Sequence, residues 1–129
     1  MAKEYTVLAV DDEPDVLLFV KAALRAEGYR VLTAANGREA LAQARSEKPD
    51  LVLLDVMMPG MDGFEVLERL RQNEATLGIP VIMLTILTER ERKLLAIKRG
   101  VQYYITKPFE VQDLITKVRL AIGEGRANG

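Results

Sequence analysis

The chain contains no cysteine, no histidine and no tryptophan. Without cysteine there is no disulfide, no thiol nucleophile and no thiolate zinc site. Without histidine the usual general base and the usual transition-metal ligand are missing. The single serine, Ser46, has no imidazole to activate it, so a Ser-His-Asp centre is excluded. No apolar run approaches the ~20 residues of a bilayer-spanning helix, so no membrane partner is expected. Net charge is −1, and no basic excess points to direct nucleic-acid binding. The N-terminal "MAKEYTV" enters a strand pattern without the apolar stretch of a signal peptide, and the expected location is the cytoplasm. Any chemistry must come from carboxylates, threonine, lysine or tyrosine.

The 129 residues are 49% apolar, enough for the core of one ordinary domain. Five apolar segments read as strands: "YTVLAV" (5–10), "YRVLTA" (29–34), "DLVLLD" (50–55), "PVIMLT" (80–85) and "QYYIT" (102–106). Helical patterns fill the intervals at 14–27, 37–47, 63–73, 88–99 and 110–122. This alternation predicts an α/β fold, with a parallel sheet covered by helices on both faces. The first, third and fourth strands are almost wholly apolar, as central strands are. The second and fifth carry Arg30, Thr33, Gln102 and Thr106, as edges do, which gives the doubly wound order 2-1-3-4-5. Asn36–Glu39, Asp62–Glu65 and Thr88–Glu91 have capping-box spacing. Pro14 suits a first helical position, and Gly28 and Gly100 suit positions just past a helix end. Residues 1–122 read as one domain, and "GEGRANG" (123–129) as a flexible tail.

In such a sheet the carboxyl ends of the strands meet at one rim, where ligands bind. "AVDDEP" puts Asp11 and Asp12 at the end of the first strand. Asp55 ends the third, Thr85 the fourth, and Lys107 follows the fifth. Each has an ordinary reading alone: a solvated helix start, a strand-end threonine, a solvated lysine. Together they conflict electrostatically, because two carboxylates ~5 Å apart at an effective dielectric of ~20 repel by about 3 kcal/mol. A divalent cation removes the conflict. All-oxygen donors favour Mg²⁺, which keeps several waters and leaves room for a phosphate oxygen. A carboxylate beside such a metal and a lysine is a nucleophile toward phosphorus. Asp55, at the tip of an apolar strand, is the expected phosphate acceptor.

With these residues in order, the sequence resembles the receiver domain of two-component response regulators, of the chemotaxis-regulator type. The resemblance is carried by "VDDEP" (10–14), "LLDVMMPGMDG" (53–63), "MLT" (83–85) and "YITKPF" (104–109), and covers about residues 5–122. It implies a flavodoxin-like fold with Asp55 as phosphoacceptor and Asp11, Asp12, Asp55 and the backbone carbonyl of Met57 around Mg²⁺. It further implies that Lys107 contacts the phosphoryl group, with a cis Lys107–Pro108 bond. Thr85 and Tyr104 are implied as switch residues that report phosphorylation on the face of the helix over 88–99, the fifth strand and the last helix. The implied phosphodonor is a sensor histidine kinase or a histidine phosphotransfer protein, and the implied recipient of the signal is an effector protein or output domain. Such a chain catalyses only its own phosphorylation and dephosphorylation.

Two other functions share the motifs. A haloacid-dehalogenase-type phosphatase also forms an aspartyl-phosphate, but it needs a second aspartate where this chain has Met57. A receiver that works only by docking, independent of phosphorylation, is the other. Ile86 stands where the family usually has alanine or glycine, beside the expected phosphoryl pocket. The family's fast dephosphorylators carry polar residues two positions after the phosphoacceptor or two after the threonine. Here those positions are Met57 and Leu87, and a long-lived phosphoform is expected. On the first helix, Val16, Phe19, Val20, Ala23 and Leu24 form a stripe expected to face the sheet, leaving Leu18 outward as a docking residue.

Overall fold

The computed structural model describes residues 4–86, 90 and 101–128. Five strands, β1 (Thr6–Val10), β2 (Arg30–Ala34), β3 (Leu51–Asp55), β4 (Val81–Thr85) and β5 (Tyr103–Thr106), form one parallel sheet in the order β2-β1-β3-β4-β5. The doubly wound order expected from strand polarity is therefore present. Among the described residues the helices are α1 (Pro14–Ala26), α2 (Gly37–Glu47), α3 (Gly63–Arg71) and α4 (Val111–Asn128). The expected helix over 88–99, its Thr88–Glu91 cap and Gly100 lie outside the described residues, apart from Arg90.

The period-2 alternation of the strands sorts the core into two layers. Val7, Ala9, Leu51, Leu53, Ile82, Leu84 and Ile105 pack under α1 and α4, against Val20, Leu24, Leu114 and Val118. Leu8, Val10, Val52, Leu54, Val81 and Met83 pack under α2 and α3, against Ala40, Ala44, Val66, Leu67 and Leu70. Every residue of β3 and β4 is buried, as strands covered on both faces require. Truncating one of the buried leucines to alanine costs about 2–5 kcal/mol.

Local signals place the helix ends. Asn36 Oδ1 accepts from the Glu39 backbone N–H at 2.9 Å, and Asp62 Oδ1 accepts from that of Glu65 at 2.9 Å. Pro14 is the first residue of α1, and Gly28 follows that helix with φ 93°. Two side chains secure strand starts. Asp50 Oδ2 accepts from the Thr6 N–H at 2.8 Å, and Gln102 Oε1 accepts from the Val81 N–H at 2.8 Å.

Two expectations differ from the structure. Phe19 is exposed rather than facing the sheet, and its ring meets Phe109 with centroids 5.7 Å apart. The loop after β5 supplies apolar surface at the flank of α1, which a helical wheel does not contain. The last helix runs through Asn128 instead of ending at Ile122. No proline stops it, and Gly123 and Gly125 each cost only about 1 kcal/mol relative to alanine.

Candidate functional site

Two strand ends bring the acids together. Asp11 follows β1, where its N–H donates to the Ala34 carbonyl at 3.1 Å and its Oδ1 accepts from the Glu13 N–H at 2.9 Å. Asp55 ends β3 and is 3% exposed, while the neighbouring Asp12 is open to solvent. One carboxylate oxygen from each of Asp11, Asp12 and Asp55 lies within 4.8 Å of the other two. The Asp55 Oδ1 accepts from the Met57 N–H at 3.3 Å, which turns the carboxylate toward the loop after β3.

Lys107 enters from the end of β5. Its N–H donates to the Thr85 carbonyl at 2.9 Å, which continues the β4–β5 pairing one residue further. Its Nζ lies 2.6 Å from Asp11 Oδ2, 3.4 Å from Asp55 Oδ1 and 3.8 Å from Glu13 Oε1. The Lys107–Pro108 bond is cis.

The electrostatics follow from this packing. Burial, then the charge of Asp11, push the Asp55 carboxyl up to about 6, against the pull of Lys107. For Lys107, burial draws the ammonium down, but the hydrogen bond to Asp11 and the charges of Asp55 and Asp11 outweigh it, and its pKa is raised. One ammonium faces three aspartates, so the cluster carries negative charge that a further cation would neutralise. The donors are all oxygens, which fits a hard divalent ion.

Thr85 is buried at the end of β4, and its register partner is Thr106. Tyr104 is half-buried and packs with the layer under α2 and α3, on the same sheet face as Met83. The alternation of β4 and β5 therefore puts Thr85 and Tyr104 on one face, while Asp55 and Lys107 continue the opposite one. Met57 is 56% exposed and Ile86 66% exposed, so both form an apolar rim. Ile86 lines a groove of about 460 Å³ with Val16, Phe19, Lys107, Pro108 and Phe109 rather than filling the space between the acids.

All seven residues expected from the sequence lie at the carboxyl end of the sheet or on β5 beside it. Glu13 was missed as a member of the charged cluster, although its place in "DDEP" is a signal for it. Gly63, the last residue of "LLDVMMPGMDG", starts α3 eight residues after Asp55.

The response regulator receiver domain model matches residues 7–119. This chain belongs to that family. Protein PilH of Pseudomonas aeruginosa is 36% identical, over 90% of this chain and 96% of its own length. The alkaline phosphatase synthesis transcriptional regulatory protein PhoP of Bacillus subtilis is 42% identical, over 88% of this chain and 46% of its own length. The solved structure of the chemotaxis protein CheY4 of Vibrio cholerae superposes with a TM-score of 0.87 at 36% identity, covering 92% of this chain and 99% of that one. The chain spans about half the length of several curated relatives it matches, PhoP among them. Receiver domains are the signalling switches of two-component systems, and aspartate phosphorylation is general to them. No helix among the described residues is long and apolar enough to cross a membrane.

Proposed function

We propose that this receiver takes a phosphoryl group onto Asp55 from a phosphohistidine of a sensor histidine kinase or histidine phosphotransfer protein, with Mg²⁺ held by Asp11, Asp12, Asp55 and the Met57 backbone carbonyl. The observation that carries the reading is the position of Lys107 Nζ, 2.6 Å from Asp11 and 3.4 Å from Asp55. A buried ammonium within reach of the acceptor is already aimed at the place where phosphoryl oxygens would collect.

An Asp55 carboxylate oxygen attacks phosphorus in line. A P–O bond forms, the P–N bond to the donor imidazole breaks, and its electron pair returns to the ring nitrogen. Lys107 neutralises charge on the transferring oxygens, and the Thr85 hydroxyl donates a hydrogen bond to one of them. Mg²⁺, when bound, supplies further neutralisation of the acceptor and the phosphoryl oxygens. Drawing Thr85 toward the phosphate vacates space on the face it shares with Tyr104, and the Tyr104 ring moves inward. This is the signal presented to an effector protein or output domain.

The groove between α1 and the loop after β5 supports docking of a helical donor beside Lys107. Leu18, 67% exposed, lies on that helix. This reading requires the cytoplasm. Incubation with acetyl phosphate and Mg²⁺, followed by intact-mass measurement, tests it. One phosphate adduct on the wild type and none on Asp55→Asn is expected; an equal adduct on both rejects Asp55.

A further inference from the structure

Gly28 and Gly60 hold positive φ of 93° and 77°, and a Cβ at either would meet open space. Their requirement is conformational. Gly63 is the reverse case. It does not have a positive φ, yet a Cβ there would overlap the carbonyl oxygen of Asp55 and lie 2.8 Å from Cα of Val56. The atoms it would strike are backbone, and they belong to the acceptor residue and the residue after it.

We infer that Gly63 is a positioning residue for Asp55: its missing side chain seats the start of α3 directly on the Asp55–Val56 peptide, and that seat fixes the acceptor carboxylate and the loop carrying Met57. The inference rests on Asp55 being the phosphoacceptor. The Gly63 N–H donates to the Val56 carbonyl at 3.0 Å and closes the loop of residues 57–62 at its neck. Val56 cannot retreat, because its own N–H donates to the Leu84 carbonyl at 3.0 Å and holds it to β4. The helix start cannot slide freely either, since Asp62 caps it and Val66 anchors it in the core. A methyl group at position 63 must therefore lift α3 from its seat or turn the Asp55–Val56 peptide. The Met57 N–H, which aims the carboxylate at 3.3 Å, moves with that peptide. A displacement of roughly 1 Å at a reacting group is enough to cost orders of magnitude in rate.

The test compares wild type, Gly63→Ala and Leu67→Ala. Leu67 is fully buried in the same helix, one turn past Gly63, so its truncation destabilises α3 without adding an atom at the Asp55–Val56 peptide. Mg²⁺ affinity is measured by calorimetry and phosphorylation by acetyl phosphate. Each is divided by the folded fraction from circular dichroism, with a stabilising osmolyte added where a variant is partly unfolded. Gly63→Ala should lose about tenfold or more in both, the scale on which residues supporting a metal ligand act. Leu67→Ala should keep both per folded molecule. Wild-type values for Gly63→Ala, or an equal loss in Leu67→Ala, would overturn the inference. An Asp55→Asn arm separates the two claims: an adduct there equal to wild type removes the acceptor reading, while the Mg²⁺ titration still measures the seat.

Discussion

Lys107 Nζ sits 2.6 Å from Asp11 Oδ2, closer than to Asp55 Oδ1 at 3.4 Å. The lysine is thus the cation that holds the acids together, and it is 13% exposed. A divalent ion entering the cluster competes with it for the same carboxylates. Lys107→Met should therefore raise Mg²⁺ affinity, by about tenfold or 1.4 kcal/mol, while lowering phosphotransfer by about 10²-fold or more. Calorimetric titration and acetyl-phosphate kinetics on one preparation check both signs. Reduced affinity would mean that Lys107 supports the cation site rather than competing with it.

The Asp55 carboxylate should cost the fold stability. The Asp55 carboxyl titrates at about 6 in the folded chain and near 3.9 when unfolded. Folded protein therefore binds more protons between these values, and stability falls as pH rises from about 4 to about 6. Without divalent cation, Asp55→Asn should be more stable than wild type by about 1–3 kcal/mol at pH 8, at roughly 1.4 kcal/mol per pH unit. Below pH 4 the two should coincide. Urea melts at both pH values measure the difference; a destabilised Asp55→Asn at pH 8 would reverse the sign argued here.

The phosphoform should be long-lived. Hydrolysis needs a water held in line with phosphorus, and the exposed Met57 side chain offers nothing to orient one, while Ile86 adds apolar bulk and Leu87 lies outside the described residues. Met57→Asn should shorten the half-life of the phosphoprotein several-fold, about the 1 kcal/mol that one neutral hydrogen bond contributes. Decay followed by intact mass decides it, and unchanged decay would leave the apolar rim without this role.

Leu18 should matter to a protein donor only. It is 67% exposed on α1, so Leu18→Glu should hardly change stability. Transfer from the cognate kinase should weaken by about 1–2 kcal/mol, as for a desolvated interface leucine. Phosphorylation by acetyl phosphate should not change. Equal losses with both donors would locate the damage in folding or chemistry.

The sheet was legible because two independent signals agree. Apolar runs such as Leu51–Leu54 mark strands, and polar residues such as Arg30 and Gln102 mark the edges. The acids were legible because topology alone carries strand ends to one rim. Other features depend on contacts between distant segments. Phe19 fits the inward stripe of a helical wheel until the loop with Phe109 covers its flank. Asp50 and Gln102 look like surface residues, yet their side chains accept backbone bonds from neighbouring strands. Gly63 resembles any helix-start glycine until the register of α3 over Asp55 is known.

That phosphate is carried on Asp55 is open to chemical trapping. Borohydride reduces an aspartyl-phosphate to homoserine at the modified position. After phosphorylation in Mg²⁺ and reduction, peptide mass spectrometry should find homoserine at position 55 and nowhere else. Homoserine at 11, 12 or 62, or none in protein that carries the phosphate adduct, would contradict it.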